Sequence, residues 1–285
     1  MRVSVVIPSL NQGTYIRECI ESLLSQNSID VEIFLYDSLS SDRTSEILNE
    51  FKSRIQVNIE KDLGQAHAVN KGLVQCTGSI LGFLNSDDFL LPEALSKVVD
   101  FWNEYPDTDL LYGKAHYVDT ESNVVSDYRT SKWDSKAFHG ECFLCQPSCF
   151  WSRRIMNRVG LLDQRLDCCL DYDYWLRILE ANGVVRYTED YLSCSRDYPE
   201  TKTRSRRGQI FREIFRLSLK RLGYVDRSWI RQWMSYRKFE DKSGISRLLP
   251  AGEKRRDALA EVGEILSYTL AKDTYFVEPV PDKVV

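Results

Sequence analysis

The fold is decided by the stretch Leu81-Gly-Phe-Leu-Asn-Ser-Asp-Asp88, in which a short apolar run ends abruptly at two adjacent carboxylates. The run from Ile80 to Leu84 is typical of a strand that is buried on both faces. Asp87 and Asp88 then stand where this strand leaves the sheet, and in open α/β sheets that edge binds ligands. Two carboxylates about 4 Å apart repel by roughly 4 kcal/mol at an effective dielectric of about 20. A hard divalent cation, which prefers oxygen ligands, would offset this repulsion. The alternative is a solvated turn before a helix that Pro92 opens.

The first 130 residues alternate strand and helix patterns. The predicted strands are Val3–Ile7, Val31–Tyr36, Ile55–Ile59 and Ile80–Leu84, with a further strand beginning at Leu110. The predicted helices, which carry apolar residues at helical spacing, are Tyr15–Gln26, Thr44–Phe51, Gln65–Gln75 and Pro92–Tyr105. Repeated strand–helix units predict an α/β fold with a mainly parallel sheet and right-handed crossovers.

After Leu110 the alternation is less regular. We expect a hairpin from two short strands, then two helices, then a short strand; these are Ala115–Asp119 with Val124–Tyr128, Arg153–Val159 with Asp171–Ala181, and Val184–Tyr187. We therefore predict one α/β domain over residues 1–205 and a mostly helical extension over residues 206–285.

Composition places the chain among ordinary soluble globular proteins. Its 285 residues are 43% hydrophobic and 28% charged, with a net charge of −4 that does not point to nucleic acid as a partner. No apolar run reaches the roughly 18 residues of a spanning helix, and the sequence from Met1 lacks a signal-peptide pattern, so we expect a cytoplasmic protein.

The extension is locally basic. From Lys202 to Lys238 there are 12 Lys or Arg residues against two acids, a net charge of +10. Apolar residues such as Ile210, Ile214 and Leu217 share a helical face. A basic amphipathic helix can lie on an anionic membrane surface, which predicts peripheral contact with the inner membrane face. The alternative is a helix packed on the domain with a solvated basic face.

The cysteines suggest one competing site. Cys142, Cys145 and Cys149 lie near His139 and could be drawn as a zinc site, but their spacing matches no usual zinc finger. The vicinal pair Cys168-Cys169 is equally ambiguous. Reduced thiols are the expected state in the cytoplasm.

Polar residues follow the predicted strands. The first strand ends in Pro8-Ser-Leu-Asn11 rather than in a glycine-rich dinucleotide fingerprint, which disfavours a hydride-transfer enzyme. Such a loop could pair with a flat nucleobase, and Asp37 could accept a hydrogen bond from a base N–H or simply form a turn. Asn70, within the third helix, either faces a ligand or occupies a surface position.

Six segments, taken together and in order, closely resemble the family 2 glycosyltransferases of GT-A fold. They are Ser4–Asn11, Asp37–Thr44, Asp62–Gly72, Phe83–Asp88, Gln146–Trp151 and Asp171–Arg177. The resemblance spans roughly residues 1–205.

This resemblance implies an inverting transferase that uses a UDP-, GDP- or dTDP-sugar donor and a saccharide or lipid-linked acceptor, in polysaccharide or glycolipid assembly. Asp87, with Asp88 beside it, would bind Mg²⁺ or Mn²⁺ on the diphosphate. Asp171 would be the catalytic base, with Asp173 as its close competitor. The remaining donor-binding residues would be Pro8, Ser9, Asn11, Asp37, Asp62, Asn70 and Ser86, with positive charge from Arg196 and Lys202.

Three positions depart from the family pattern. Asn85 stands where an aspartate is frequent, Tyr198 replaces a histidine, and His67 stands where relatives often carry an acid. Asn85 and Tyr198 favour a competing hypothesis, a catalytically silent sugar-nucleotide-binding or scaffold protein.

Overall fold

The structure is a computed structural model that describes residues 1–26 and 29–243. The part of the predicted extension beyond residue 243 lies outside the described residues. The strands within the described residues are β1 (Arg2–Ser9), β2 (Asp30–Asp37), β3 (Gln56–Ile59), β4 (Ile80–Phe83), β5 (Phe89–Leu90), β6 (Leu110–Val118), β7 (Val124–Asp127), β8 (Cys149–Ser152) and β9 (Val185–Arg196). The helices there are α1 (Ile16–Leu24), α2 (Thr44–Phe51), α3 (Gln65–Gln75), α4 (Ala94–Glu104), α5 (Ser135–Phe138), α6 (Arg153–Val159), α7 (Leu170–Glu180), α8 (Lys202–Ser205), α9 (Arg207–Leu222) and α10 (Arg227–Ser243).

All of these strands join one mixed sheet in the order β3-β2-β1-β4-β8-β6-β9-β5, with β7 paired to β6. The four strands from β3 to β4 are parallel, as strand–helix alternation predicts. Beyond β4 the sheet becomes mixed, because β8 lies antiparallel between β4 and β6. In the parallel half, Ser9 is in register with Asp37, so the carboxyl ends of neighbouring strands meet at one edge.

The core forms where the helices cover the parallel strands. Val3, Val5 and Ile7 of β1 are almost fully buried, together with Leu23 of α1 and Leu48 of α2. This burial is the main stabilising contribution, at about 25 cal/mol per Å² of apolar surface removed from water.

Helix α3 packs unusually close to the sheet. A Cβ atom on Gly72 would lie 2.4 Å from Cγ1 of Val6, so a larger residue would push the helix away from β1. Gly64, with φ of +120°, supplies the backbone turn that starts this helix. Gly64 thus sets the start of α3, and Gly72 lets the later part of the helix approach β1 closely.

The predicted hairpin is confirmed, since β6 and β7 pair antiparallel. The predicted short strand Val184–Tyr187 is wrong in length, because β9 continues through Arg196 and pairs with β6 over most of its length. Strands β5 and β8 were not predicted at all. Each is short and stabilised by its neighbours in the sheet, which a local sequence pattern does not record.

The described part of the chain divides into two compact units, one within residues 1–138 and 142–213, the other of residues 139–141 and 214–243. In the second unit, Nδ1 of His139 lies 3.0 Å from the Tyr224 hydroxyl and the rings of Phe215 and Trp233 lie 6.3 Å apart. The predicted boundary at residue 205 stays a prediction. Within the described part of the chain, no helix combines the length and the apolar character that crossing a bilayer requires.

Candidate active site

A cavity of about 410 Å³ opens at the carboxyl ends of β1 and β4. Because these strands are parallel neighbours, the loops that follow them face each other across the sheet edge. The cavity is lined by Pro8 and Ser9 from β1, by Ser86 to Asp88 after β4, and by the Tyr198 and Lys202 segment after β9. The lining also includes Asp62 and Gln65 before and within α3. The structure thus brings together eight predicted residues: Pro8, Ser9, Asp62, Ser86, Asp87, Asp88, Arg196 and Lys202.

The two acids after β4 differ in their environment. Asp88 is buried, and its carboxylate accepts the backbone N–H of Arg196 at 2.9 Å and the Asn85 amide at 3.3 Å. Asp87 is half-buried and accepts the Tyr198 hydroxyl at 2.9 Å. Burial raises the pKa of Asp87, and burial together with the Asp87 charge raises the pKa of Asp88 to about 8. Asp87 is therefore the acid whose remaining oxygen is available to a ligand, and Asp88 is tied to β9.

Asn85 connects the acids to two glutamines that sequence reasoning missed. Its amide nitrogen donates to Asp88 and, at 3.2 Å, to Oε1 of Gln146, while its oxygen accepts Nε2 of Gln65 at 2.6 Å. A carboxylate at position 85 could not donate either bond and would add a third negative charge. The departure from the family pattern thus fits the hydrogen bonding of this protein. Gln146 belongs to the Gln146–Trp151 segment of the family resemblance, and this was the sequence signal for a role at the site.

Tyr198 takes a defined position at the cavity in place of the family's histidine. Its hydroxyl donates to Asp87, and its ring lies 5.3 Å from that of Tyr15. Burial and the nearby Asp87 charge raise the pKa of this phenol, which stays protonated and acts as a donor. Tyr198 therefore orients the carboxylate that faces the cavity.

The two cations predicted to meet the donor differ in where their charged groups lie. The Lys202 ammonium lies at the cavity and donates to Oε1 of Gln65 at 3.0 Å and to Oδ1 of Asp167 at 2.9 Å. The Arg196 guanidinium is directed into the protein, where it binds Glu18 at 2.5 Å and the Asp119 carbonyl at 2.7 Å. Arg196 also lines the cavity, but its side chain is only 1% exposed and its guanidinium is bound within the protein; a contact of its charge with the donor stays a prediction. Arg206, which sequence reasoning missed, lines the cavity and pairs with Asp167.

The predicted base and its competitor are separated by the structure. Asp173 is fully buried and forms an ion pair with Arg177 at 2.9 Å, which holds it as a structural acid and favours Asp171; the choice of base stays a prediction. Asp171 is half-buried and accepts the backbone N–H of Tyr172 at 2.8 Å. Burial raises the pKa of Asp171, and the Lys202 charge opposes part of that rise. Asp171 therefore lies within electrostatic reach of a cation that lines the cavity, although Asp171 is not itself in the cavity wall.

Three other predicted donor-binding residues are engaged elsewhere. Asn70 is buried and exchanges two hydrogen bonds of 2.9 Å with the backbone of Leu162, so its prediction as a ligand-facing residue is wrong. Asp37 is fully buried and binds Ser9 and Ser40, so it shapes the loop under the cavity rather than its surface. Asn11 is outside the cavity wall and caps the same loop.

The loop contact of Asn11 runs from its side-chain oxygen to the backbone N–H of Ser41, at 2.9 Å. His67, the third departure, accepts the Leu63 backbone N–H at 3.0 Å and so helps close the turn into α3. Both residues organise loops at the sheet edge, each by accepting a hydrogen bond from a backbone N–H.

The amino-acid sequence matches a known protein family. Residues 4–159, more than half of the chain, match the sequence profile of glycosyl transferase family 2. The chain belongs to glycosyl transferase family 2. It is 26% identical over 200 residues to an uncharacterized glycosyltransferase of Methanocaldococcus jannaschii, which covers 67% of this chain and 69% of that one. It is 29% identical over 182 residues to chondroitin synthase of Escherichia coli, which covers 63% of this chain but only 26% of that protein.

Solved structures confirm the GT-A fold. S. aureus TarS residues 1–349 in complex with UDP-GlcNAc matches with a TM-score of 0.69 at 18% identity, over 94% of this chain and 82% of that one. The mannosyltransferase PcManGT of Pyrobaculum calidifontis, in complex with GDP-Man and Mn²⁺, matches with a TM-score of 0.62 at 15% identity, over 95% and 82% of the two chains. At these identities the likeness establishes the architecture of this family 2 member.

A divalent cation fits the acids of the site when a ligand completes its coordination. In the described part of the chain, no three His, Cys, Asp or Glu side chains gather into a metal site. Asp87 and Asp88 supply two carboxylates, and Mg²⁺ in particular is usually bound by one or two carboxylates together with substrate phosphates. Burial raises the pKa of both acids, so a bound cation would stabilise their charged forms.

The alternative zinc site is not supported. Cys145 and Cys149 are buried, and burial raises the pKa of both thiols, which favours the protonated form over the thiolate that binds zinc. The Cys149 thiol contacts the Cys145 carbonyl at 3.1 Å. Both cysteines are small core residues.

Proposed function

We propose that the protein is an inverting, divalent-cation-dependent glycosyltransferase that moves a sugar from a nucleoside-diphosphate donor to an acceptor hydroxyl. The observation that carries the proposal is the cavity, which the Asp87 carboxylate and Lys202 both line. A diphosphate suits this site, because a cation on Asp87 and the ammonium of Lys202 would together balance its charge. Family membership supports the reaction class.

The donor's nucleoside would lie against Pro8 and Ser9. These residues line the cavity beside Asp62, whose carboxylate is held by the Gly64 backbone N–H at 2.8 Å. TarS binds UDP-GlcNAc and PcManGT binds GDP-Man, which supports a UDP-, GDP- or dTDP-linked sugar as the donor here. A saccharide or lipid-linked acceptor, in polysaccharide or glycolipid assembly, is consistent with relatives such as chondroitin synthase.

The chemical step needs a base for the acceptor and stabilisation of the leaving group. Asp171 accepts the proton of the acceptor hydroxyl as its oxygen forms the bond to the anomeric carbon. The bond from that carbon to the phosphate oxygen breaks, and the electron pair leaves with the diphosphate. Lys202 balances charge on the diphosphate as it departs, and a bound Mg²⁺ or Mn²⁺ would supply further electrophilic stabilisation. Attack from the face opposite the leaving group inverts the anomeric configuration.

A donor screen tests this proposal. UDP-, GDP- and dTDP-sugars are each added with Mn²⁺, Mg²⁺ or EDTA, and thermal shift is followed by an assay for slow donor hydrolysis. We expect one nucleotide class to raise the Tm only when the cation is present, with slow release of the nucleoside diphosphate. Absence of cation-dependent binding with every donor would refute the proposal.

The scaffold hypothesis is the second candidate, favoured by Asn85 and Tyr198. In the structure both residues contact the acids after β4 and leave Asp87 facing the cavity, which favours the enzyme. Saturable donor binding without hydrolysis or transfer to any acceptor would instead favour the scaffold.

Peripheral membrane contact remains a proposal for the basic helix α9. Arg212, Arg216 and Lys220 are exposed and recur every fourth residue, which places them on one helix face. An anionic bilayer surface at the cytoplasmic side would attract this stripe by about 1 kcal/mol per basic residue. Flotation with anionic and neutral liposomes tests it, since replacing the three residues by glutamate should abolish flotation with anionic lipid. Unchanged flotation would discard the idea.

A further inference from the structure

The loop that leads into α7 is held by one buried carboxylate. Glu213 accepts the backbone N–H groups of three consecutive residues, Asp167 at 3.3 Å, Cys168 at 3.0 Å and Cys169 at 2.9 Å. Asp167 and Cys168 precede the helix and Cys169 is its N-cap residue, and an acid at this end interacts favourably with the helix dipole. Glu213 is 8% exposed, so water competes little for these bonds.

The Asp167 side chain of the same loop is also held by hydrogen bonds and ion pairs. Asp167 accepts Lys202 at 2.9 Å, pairs with Arg206, and accepts the Gln209 amide at 3.1 Å. Gln209 also donates to Glu213 at 3.1 Å, which links the two carboxylates. Residues 167–169 are therefore fixed through both backbone and side chain by α8 and the first turns of α9.

We infer that Glu213 is a positioning residue for the catalytic base, acting through the Asp167–Cys169 loop. This inference rests on the proposed role of Asp171, which is the second residue of α7 and follows the anchored loop directly. The helix continues from the loop without a break, since the Asp173 N–H donates to the Cys169 carbonyl at 3.0 Å. A shift of residues 167–169 would therefore carry the Asp171 carboxylate with it. The Glu213 charge also favours the proton-accepting character of Asp171, because it contributes to the raised pKa of that acid.

The test compares Glu213→Gln with a matched control, Glu46→Gln. Glutamine keeps one acceptor oxygen but removes the charge and at least one of the loop bonds. Glu46 is exposed in the first turn of α2, so its substitution makes the same chemical change at another helix start. We expect Glu213→Gln to lower kcat by about ten- to a hundredfold, because small misplacements of reacting groups cost this much. The donor KM should change less than about twofold, since the diphosphate contacts remain, and Glu46→Gln should leave both parameters unchanged.

Two further variants make the result decisive. Glu213→Asp keeps the charge but withdraws the carboxylate, so it should recover part of the lost kcat; it also replaces Glu213→Gln if that variant does not fold. In an Asp171→Asn background, Glu213→Gln should cause no further loss of the residual transfer. Full kcat in both Glu213 variants, or a loss of kcat that persists undiminished in the Asp171→Asn background, would overturn the inference. Full activity of Asp171→Asn alone would instead refute the proposed base.

Discussion

Asp87 and Asp88 after β4, and Asp171 and Asp173 in α7, are two pairs of nearby acids whose members the structure uses differently. In each pair one acid is bound into the protein, Asp88 to β9 and Asp173 to Arg177. The other member is half-buried, with Asp87 accepting the Tyr198 hydroxyl and Asp171 accepting the backbone N–H of Tyr172. The two pairs differ in sequence separation, since Asp87 and Asp88 are adjacent whereas Asp171 and Asp173 are two residues apart.

Consecutive residues that leave a strand both stay at the sheet edge, so Asp87 and Asp88 both line the cavity. Residues two apart on a helix are about 200° apart around its axis, so Asp171 and Asp173 face opposite ways. One helix position can therefore serve the reaction while the other anchors the helix. In both places a structural acid lies next to the acid that the proposed reaction uses.

The largest effect is expected from Asp171→Asn. Transfer should fall by about 10²- to 10⁴-fold, because the acceptor proton loses its base. Donor affinity should be unchanged, which calorimetry with the donor and Mn²⁺ would measure. Asn at this position is nearly isosteric, so the free energy of unfolding should not fall. Transfer at the unsubstituted rate would remove Asp171 from the mechanism.

For Asp173→Asn we expect the opposite result, a loss of stability. The free energy of unfolding should drop by about 1–3 kcal/mol, because the half-buried Arg177 guanidinium loses its charged hydrogen-bond partner. Chemical denaturation of the two asparagine variants side by side measures the contrast. Equal stability of both variants would contradict the division between a structural and a reactive acid in α7.

A smaller effect, on binding, is expected from Asp87→Asn. Donor affinity in the presence of Mn²⁺ should fall by about ten- to a hundredfold, the range seen when a metal site loses a supporting group. With EDTA the variant and the unsubstituted protein should bind the donor alike. Calorimetry in both conditions gives the comparison, and an affinity that still rises with Mn²⁺ in the variant would rule out Asp87 as a ligand.

The parallel half of the sheet could be predicted because its local signals agree with its tertiary environment. The buried run at β4, the helical spacing in α1 and α2, and the turn residues between them all favour the same fold. Strands β5 and β8 could not be predicted, because each is short and forms through pairing with strands distant in the sequence. The length of β9 was missed for the same reason.

The site was predictable where the backbone alone places a residue. Asp87 and Lys202 both line the cavity; Asp87 follows a strand end that the sequence predicts, whereas Lys202 was implied only by the family resemblance. The bonds that hold Asn70 and Arg196 within the protein could not be predicted, because the contact of Asn70 with Leu162 and the burial of Arg196 against Glu18 join residues far apart in the chain. Gln65, Arg206 and Glu213 were missed, since surface-like polar residues in helices carry no sequence signal of the loop they will hold.

The smallest effect is expected from Asn85→Asp, which restores the acid frequent in the family. The substitution removes the donors to Asp88 and Gln146 and places a third carboxylate beside two acids of raised pKa. The free energy of unfolding should therefore fall by about 1–2 kcal/mol, the cost of leaving buried polar groups unpaired. Added Mn²⁺ should recover part of this loss, because a cation at Asp87 would compensate the extra charge. A stability equal to that of the unsubstituted protein in EDTA would show that the amide at position 85 does not offset the charge of the acids after β4.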